Sequence, residues 1–255
     1  MSNSSGKPLV VVKNLSKVVK DAEVETALPA FQKQVSRDFA GAGWGLDVAL
    51  QFLPKTQKLP ANAWLLGVFD DADQAGALGY HDLTKAGQPL GKVFARTTLD
   101  DGGQWTVTFS HELLEMLADP NINLCAFDEN AGRLYAYEVC DAVEADELGY
   151  KIDNVLVSDF VLPGWFEPLH VGKGEKFAFK SNVTGPFHLL PGGYIGYYDL
   201  AGGGWQQLTA REVMDARQMR TQDPRPAPYK SRPRVGSRRE RRRTPKSQWS
   251  TSTAE

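Results

Sequence analysis

Chemistry in this chain centres on five consecutive residues, His-Glu-Leu-Leu-Glu, which run from His111 to Glu115. On a helix, His111 and Glu115 project from one face with their Cβ atoms about 5–6 Å apart. At that spacing an imidazole nitrogen and a carboxylate oxygen can both reach one divalent ion, at about 2.0–2.2 Å. Glu112 lies between them, rotated around the helix, where a general base toward water would lie. The segment therefore predicts a metal site with Glu112 as its catalytic residue.

The segment differs from the His-Glu-x-x-His arrangement of zinc hydrolases because Glu115 stands where the second histidine would be. The added negative charge makes a bound ion a weaker Lewis acid and favours harder ions. Zinc is the expected cofactor, and another divalent metal is the alternative.

A second acidic segment, Glu-Val-Cys-Asp, follows at residues 138–141. Glu138 is predicted to be the third metal ligand. Asp141 is predicted to be either a ligand or the acceptor that orients His111. The predicted ligand set is therefore His111, Glu115, Glu138 and Asp141.

The other histidines, His81, His170 and His188, are each predicted to be structural or surface residues. His170 and His188 would be the next candidates if Glu138 were not the third ligand. Asp119 precedes Pro120 and is predicted to end the helix rather than to bind metal.

The helix that carries the segment is predicted from Trp105 to Asp119. Apolar residues recur at helical spacing at Trp105, Phe109, Leu113 and Leu117, which indicates a largely enclosed helix. A buried histidine and two carboxylates without a partner would carry a severe desolvation cost, so burial supports a bound ion.

Several predicted elements precede this helix. Apolar runs and alternation predict strands, and one amphipathic pattern predicts a helix over residues 21–39. The predicted strands cover residues 9–12, 47–53, 64–69, 78–81 and 92–95. Beyond Pro120 the patterns are weaker: a strand or turn at 134–140, a strand at 155–161, hairpins or long loops over the glycine- and aromatic-rich residues 172–204, and a helix at 208–219.

The C-terminal segment differs from the rest of the chain in charge. Residues 221–255 contain ten Lys and Arg against three Asp and Glu, although the whole chain has a net charge of −2. With five prolines and few aliphatic residues, this segment is predicted to be a disordered basic tail. The tail would either contact nucleic acid or an acidic partner, or be solvated without a specific partner.

The remaining composition bounds the class of protein. The sequence has no apolar run long enough to cross a membrane and no signal peptide, so we expect no membrane partner and a cytoplasmic location, or a place in a phage particle. The two cysteines do not form a disulfide framework. The expected domains are a flexible N-terminus at 1–8, one domain at 9–220, and the tail.

The segment Ser110 to Pro120, together with the later Glu-Val-Cys-Asp at residues 138–141, resembles a zincin-like metallopeptidase pattern in its glutamate variant. The pattern is that of the plant exordium (phosphate-induced) proteins and of uncharacterised bacterial and phage proteins. The resemblance implies an α+β fold: a zincin-like domain with a mixed or antiparallel sheet and a buried motif helix, followed by an irregular β region. It also implies an edge strand beside the cleft that binds an extended peptide, for which residues 92–95 are the candidate.

The resemblance implies metal contacts from His111, Glu115 and Glu138, with Glu112 as general base. The chain is not a metzincin, because Ala118 and Asn121 stand where that group has glycine and a third histidine.

Two functions follow from these expectations. The first is a metal-dependent hydrolase, a zinc peptidase that uses a metal-bound water and Glu112 to cleave a peptide or protein substrate. The alternative is a catalytically inactive zincin-like structural or assembly protein, for instance of a phage, that contacts a partner or nucleic acid through its basic tail.

Overall fold

The fold combines helices with one mixed and two antiparallel sheets, which confirms the predicted α+β class. The structure is a computed structural model that describes residues 6–74, 76–167 and 174–213. The predicted tail lies outside these residues, as do His170 and most of the helix predicted at 208–219.

The N-terminal half contains a five-stranded sheet. Its strands in chain order are β1 (Leu9–Asn14), β2 (Ala49–Phe52), β3 (Trp64–Phe69), β4 (Gly79–Leu83) and β5 (Pro89–Phe94). The spatial order is β2-β1-β3-β5-β4, in which β4 is antiparallel to β5 and the other pairs are parallel. The hydrophobic runs Val10–Val12 and Leu66–Val68 lie in β1 and β3, which each pair with a strand on both sides, and this explains their lack of strict alternation.

The edge strand next to β5 is β4, so the prediction that residues 92–95 form an edge strand is wrong. Residues 92–94 belong to β5, which pairs with β3 on one side and β4 on the other. The tight turn at Gly87, whose φ is +78°, returns the chain antiparallel and puts β4 on the outer side of β5. Ala95 already begins a helix.

The helices are α1 (Asp21–Lys33), α2 (Ala95–Asp100) and α3 (Trp105–Ala118). The pattern predicted one helix over 21–39, and the chain does stay helical there, but Gln34–Phe39 forms a π-helical turn. The ring of Phe31 stacks on Phe109 at 4.2 Å, which joins α1 to α3. Both rings are fully buried, and α3 in turn packs on β4 and β5.

Helix α3 is buried along almost its whole length, as its apolar spacing predicted. Every residue from Val107 to Leu117 is buried, including the polar ones. Asp119 follows the helix, and its two carboxylate oxygens accept the backbone N–H groups of Asn123 and Leu124 at 3.0 and 2.9 Å. The predicted role of Asp119 in ending the helix is therefore confirmed.

Beyond α3 the chain forms two antiparallel sheets. One contains β6 (Cys125–Asp128), β7 (Arg133–Ala136), β10 (Tyr194–Asp199) and β11 (Trp205–Thr209), in the order β11-β10-β7-β6. The other is a hairpin of β8 (Tyr150–Ile152) and β9 (Val155–Val157). Residues 208 and 209 belong to β11 rather than to the predicted helix, because they pair with β10. Neither Cys125 nor Cys140 forms a disulfide, and none of the helices within the described ranges has the length and apolarity to cross a membrane.

Candidate metal centre

The motif helix brings His111 and Glu115 together as its spacing predicted. The His111 Nε2 atom lies 3.2 Å from Glu115 Oε1. Burial opposes protonation of His111, but the charge of Glu115 and a hydrogen bond with Asp141 outweigh it, so the pKa of the imidazole is well above its usual value. His111 therefore sits in a strongly negative environment that favours a cation.

Asp141 and Glu138 come from the loop after β7. Asp141 Oδ1 lies 3.2 Å from His111 Nε2, so Asp141 joins His111 as predicted. The backbone N–H of Cys140 donates to Glu115 Oε1 at 3.1 Å, which fixes this loop against α3. All of these side chains are buried.

Backbone contacts from later segments hold the loop in place. The Val161 N–H donates to the Val139 carbonyl at 2.7 Å, and the Leu190 N–H donates to the Ala142 carbonyl at 3.1 Å. Gly193 lies so close to this turn that an added Cβ would be 2.3 Å from the Ala142 oxygen. The glycine-rich second half of the domain therefore positions Glu138 and Asp141.

His81 also lies in the site, so its prediction as a surface residue is wrong, whereas its prediction as a structural residue stays a prediction. It lies on β4, is only 5% exposed, and faces three carboxylates. Its Nδ1 atom lies 3.8 Å from Glu112 Oε2 and 3.7 Å from Glu115 Oε2, and its Nε2 atom lies 3.7 Å from Glu138 Oε2. Among the described residues, neither ring nitrogen has a hydrogen-bond partner.

Glu112 lies between α3 and the edge strand. The residue is 3% exposed, and its side chain packs against Gly79 of β4. A Cβ at position 79 would lie 2.7 Å from Glu112 Cγ and 2.8 Å from Oε1. The lack of a side chain at position 79 therefore leaves space for the Glu112 side chain, whose carboxylate faces His81.

Two triples of ligand atoms have the proximity that a metal site needs. One is formed by His111, Glu115 and Cys140, the other by His81, Glu115 and Glu138, and within each the ligand atoms lie within 4.8 Å of one another. Two atoms bound tetrahedrally to one ion at 2.0–2.2 Å are roughly 3.3–3.6 Å apart. The His111–Glu115 and His81–Glu115 separations of 3.2 and 3.7 Å are close to that requirement, so these buried groups could hold a metal ion.

The predicted ligands are divided between the two triples. Glu138 shares a triple with His81, whereas His111 shares one with Cys140. The prediction that His111, Glu115, Glu138 and Asp141 bind metal stays a prediction, but the four side chains do lie in one buried cluster. We call the cluster of His81, His111, Glu112, Glu115, Glu138, Cys140 and Asp141 the carboxylate–histidine cluster.

Cys140 was missed as a candidate ligand. Burial, followed by the nearby charge of Glu115, raises the pKa of the Cys140 thiol well above its usual value. The residue stands directly between the predicted acids Glu138 and Asp141, and this adjacency was the one sequence signal that could have found it.

His188 lies apart from the cluster among the described residues. Its Nδ1 atom lies 3.1 Å from the Thr184 hydroxyl, and its carbonyl accepts the Trp165 indole N–H at 3.0 Å. Its prediction as a structural residue fits these contacts, while His170 lies outside the described residues.

No family model matches the chain, and comparisons with curated proteins and with solved structures likewise find no match. Function is therefore inferred from the geometry of the carboxylate–histidine cluster.

Proposed function

We propose that the chain is a divalent-metal hydrolase with a zincin-like catalytic domain, and that its substrate is a peptide or protein. The observation that carries the proposal is that Glu112 and the candidate ligands face one another in a single buried cluster. Glu112 Oε2 lies 3.8 Å from His81 Nδ1, and His81 belongs to a ligand triple.

A bound divalent ion would supply Lewis-acid chemistry, since it lowers the pKa of water and polarises a substrate carbonyl. Zinc suits the nitrogen, oxygen and sulfur donors of the cluster. Glu112 would accept a proton from water as the amide carbonyl is attacked. The same carboxylic acid would then return the proton to the leaving nitrogen.

The edge strand supports a peptide rather than a small molecule as substrate. Strand β4 ends the five-stranded sheet and carries His81, so its outer edge runs beside the cluster. An extended peptide that pairs with β4 would lie along this edge, with main-chain hydrogen bonds supplying affinity. The role first predicted for residues 92–95 thus moves to Gly79–Leu83.

A Glu112→Gln substitution tests the proposal. The zinc-loaded full-length chain is incubated with a defined peptide library, and products are counted by mass spectrometry. We expect cleavage by the unmodified chain and a loss of roughly 10²–10⁴-fold in Glu112→Gln, because the amide cannot take the proton. Metal content and melting temperature should change little. The exposed Glu25→Gln variant is the matched control and should cleave normally.

A structural metal centre is the second candidate, and the burial of the cluster favours it. The residues of the cluster range in exposure from 0% for Glu115 to 8% for His111. A structural role predicts no cleavage by the metal-loaded chain, no consequence of Glu112→Gln beyond packing, and a large fall in melting temperature in His111→Ala.

A further inference from the structure

The two ligand triples share one residue, Glu115, and approach it from different sides. The Oε1 atom of Glu115 faces His111 at 3.2 Å and accepts the Cys140 N–H. The Oε2 atom faces His81 at 3.7 Å. A carboxylate whose two oxygens point to two sets of donors has the arrangement of a bridging ligand.

Charge supports more than one ion in the cluster. Glu112, Glu115, Glu138 and Asp141 supply four buried carboxylates, and His81 and His111 supply two imidazoles. With neutral imidazoles and Cys140 bound as a thiolate, these groups carry five negative charges, so one divalent ion leaves three of them uncompensated and two ions leave one. Because an uncompensated buried charge is very costly, the second ion would stabilise the folded cluster.

His81 gives independent support, because its geometry does not fit hydrogen bonding. A charged imidazole bonded to a carboxylate would have an N···O distance of about 2.7–2.9 Å. The three distances to His81 are 3.7–3.8 Å, and both ring nitrogens are buried without a hydrogen-bond partner among the described residues. The 3.7 Å between His81 Nδ1 and Glu115 Oε2 is close to the separation of two ligands of a shared ion, and Glu138 belongs to the same ligand triple.

We propose that the cluster binds two divalent cations bridged by the carboxylate of Glu115. The first is held by His111, Glu115 and Cys140, with Asp141 as the fourth donor. The second is held by His81, Glu115 and Glu138. The inference rests on the proposed metal-dependent function and extends it from one ion to two.

The two sites differ in what they offer to a substrate. Four protein donors close the first site, as in structural zinc centres, whereas three donors leave the second site a position for water. Glu112 lies beside the second site, since its Oε2 atom is 3.8 Å from His81 Nδ1. The ion bound by His81 and Glu138 is therefore the one that serves hydrolysis, and the ion at His111 orients the bridge.

Zinc stoichiometry tests the proposal directly. The full-length chain is stripped with a chelator, titrated with zinc, and the bound ions are counted by native mass spectrometry. We expect two zinc ions in the unmodified chain and one in His81→Ala and in Glu138→Gln. The control His188→Ala should retain two, because its ring bonds to Thr184 outside the cluster.

The outcomes separate this proposal from the proposed function. A single zinc in the unmodified chain would overturn the two-ion centre and leave the hydrolase standing, whereas no zinc would overturn both. Two ions in His81→Ala would place the second ion elsewhere and also overturn the proposal. Should the variants not fold, cobalt titration of the unmodified chain decides. A bridged pair loses electron paramagnetic resonance intensity per cobalt at the second equivalent, and undiminished intensity would contradict the bridge.

Discussion

At the scale of single residues, the site depends on side chains that approach one another from distant parts of the chain. His81 comes from the edge strand, His111 and Glu115 from α3, and Glu138 and Asp141 from the loop after β7. Each is buried, and a buried charged group is costly unless it is compensated. A shared cation would compensate all of them at once.

Gly79 tests how tightly Glu112 is held. An alanine Cβ would lie 2.7 Å from Glu112 Cγ and 2.9 Å from the Lys92 carbonyl oxygen, so Gly79→Ala must displace the carboxylate or the strand. We expect the free energy of unfolding, measured by urea denaturation, to fall by about 1–3 kcal/mol. The rate of peptide cleavage should fall as well, because Glu112 is displaced.

Gly196→Ala is the matched control for this substitution. It also lies in a strand, but its added Cβ would meet only Ala136 Cβ at 3.6 Å, an ordinary contact. Equal stability and activity in the two variants would show that Glu112 is not held by the close approach of β4.

At the scale of elements, Asp70, which directly follows β3, connects the segment before α1 to α2. Asp70 Oδ1 accepts the Ser16 hydroxyl at 2.5 Å and the Lys17 N–H at 2.7 Å, and Oδ2 accepts Arg96 Nη2 at 2.7 Å. Burial opposes the charged carboxylate, but these hydrogen bonds outweigh it and hold the pKa of Asp70 well below its usual value. One side chain therefore connects the loop before α1, the end of β3 and α2.

The lowered pKa of Asp70 predicts an acid-sensitive junction. Because the folded value lies below the unfolded one of about 3.9, the stabilisation is present above that pH and is lost as pH falls through the folded value. Asp70→Asn should lower the free energy of unfolding by about 1–3 kcal/mol at pH 7, and the difference should shrink below about pH 4.

Asp71→Asn is the neighbouring control, since the Asp71 side chain is 75% exposed and its ion pair with Arg96 spans 3.2 Å. It should change stability by less than about 1 kcal/mol. A pH-independent effect of Asp70→Asn would contradict the account of this junction.

The elements of the domain were largely predictable from the sequence, but the site was only half predictable. Trp64–Phe69 and α3 were predicted nearly to their ends, because strong apolar patterns and the Asp119 stop are local signals. His81 could not be found in this way. Its place beside Glu115 depends on β4 pairing outside β5, and local pattern carries no information on which strand becomes the edge.

At the scale of the whole molecule, the charge asymmetry separates a basic tail from the domain. The predicted tail at 221–255 carries ten basic residues against three acidic ones. Deletion of this segment should leave the melting temperature and zinc content of the domain unchanged, because it has too few apolar residues to contribute a core.

The affinity of the full chain for a fluorescent single-stranded oligonucleotide, measured at low and at moderate salt, tests whether the same tail contacts nucleic acid. If the tail contacts nucleic acid, its deletion should remove most of the affinity, and binding by the full chain should weaken steeply with salt. If the truncated chain bound the oligonucleotide as tightly as the full chain does, this role of the tail would be contradicted.

The central claim is that the carboxylate–histidine cluster binds a divalent metal, and metal content tests it most directly. The untagged full-length chain and a His111→Ala/Glu115→Ala double variant are purified, dialysed against zinc and then against metal-free buffer, and analysed by inductively coupled plasma mass spectrometry. The account predicts at least one equivalent of zinc in the unmodified chain and its loss in the double variant, which removes donors of the first site and the shared carboxylate. Absence of zinc from the unmodified chain, or equal zinc in both proteins, would contradict it.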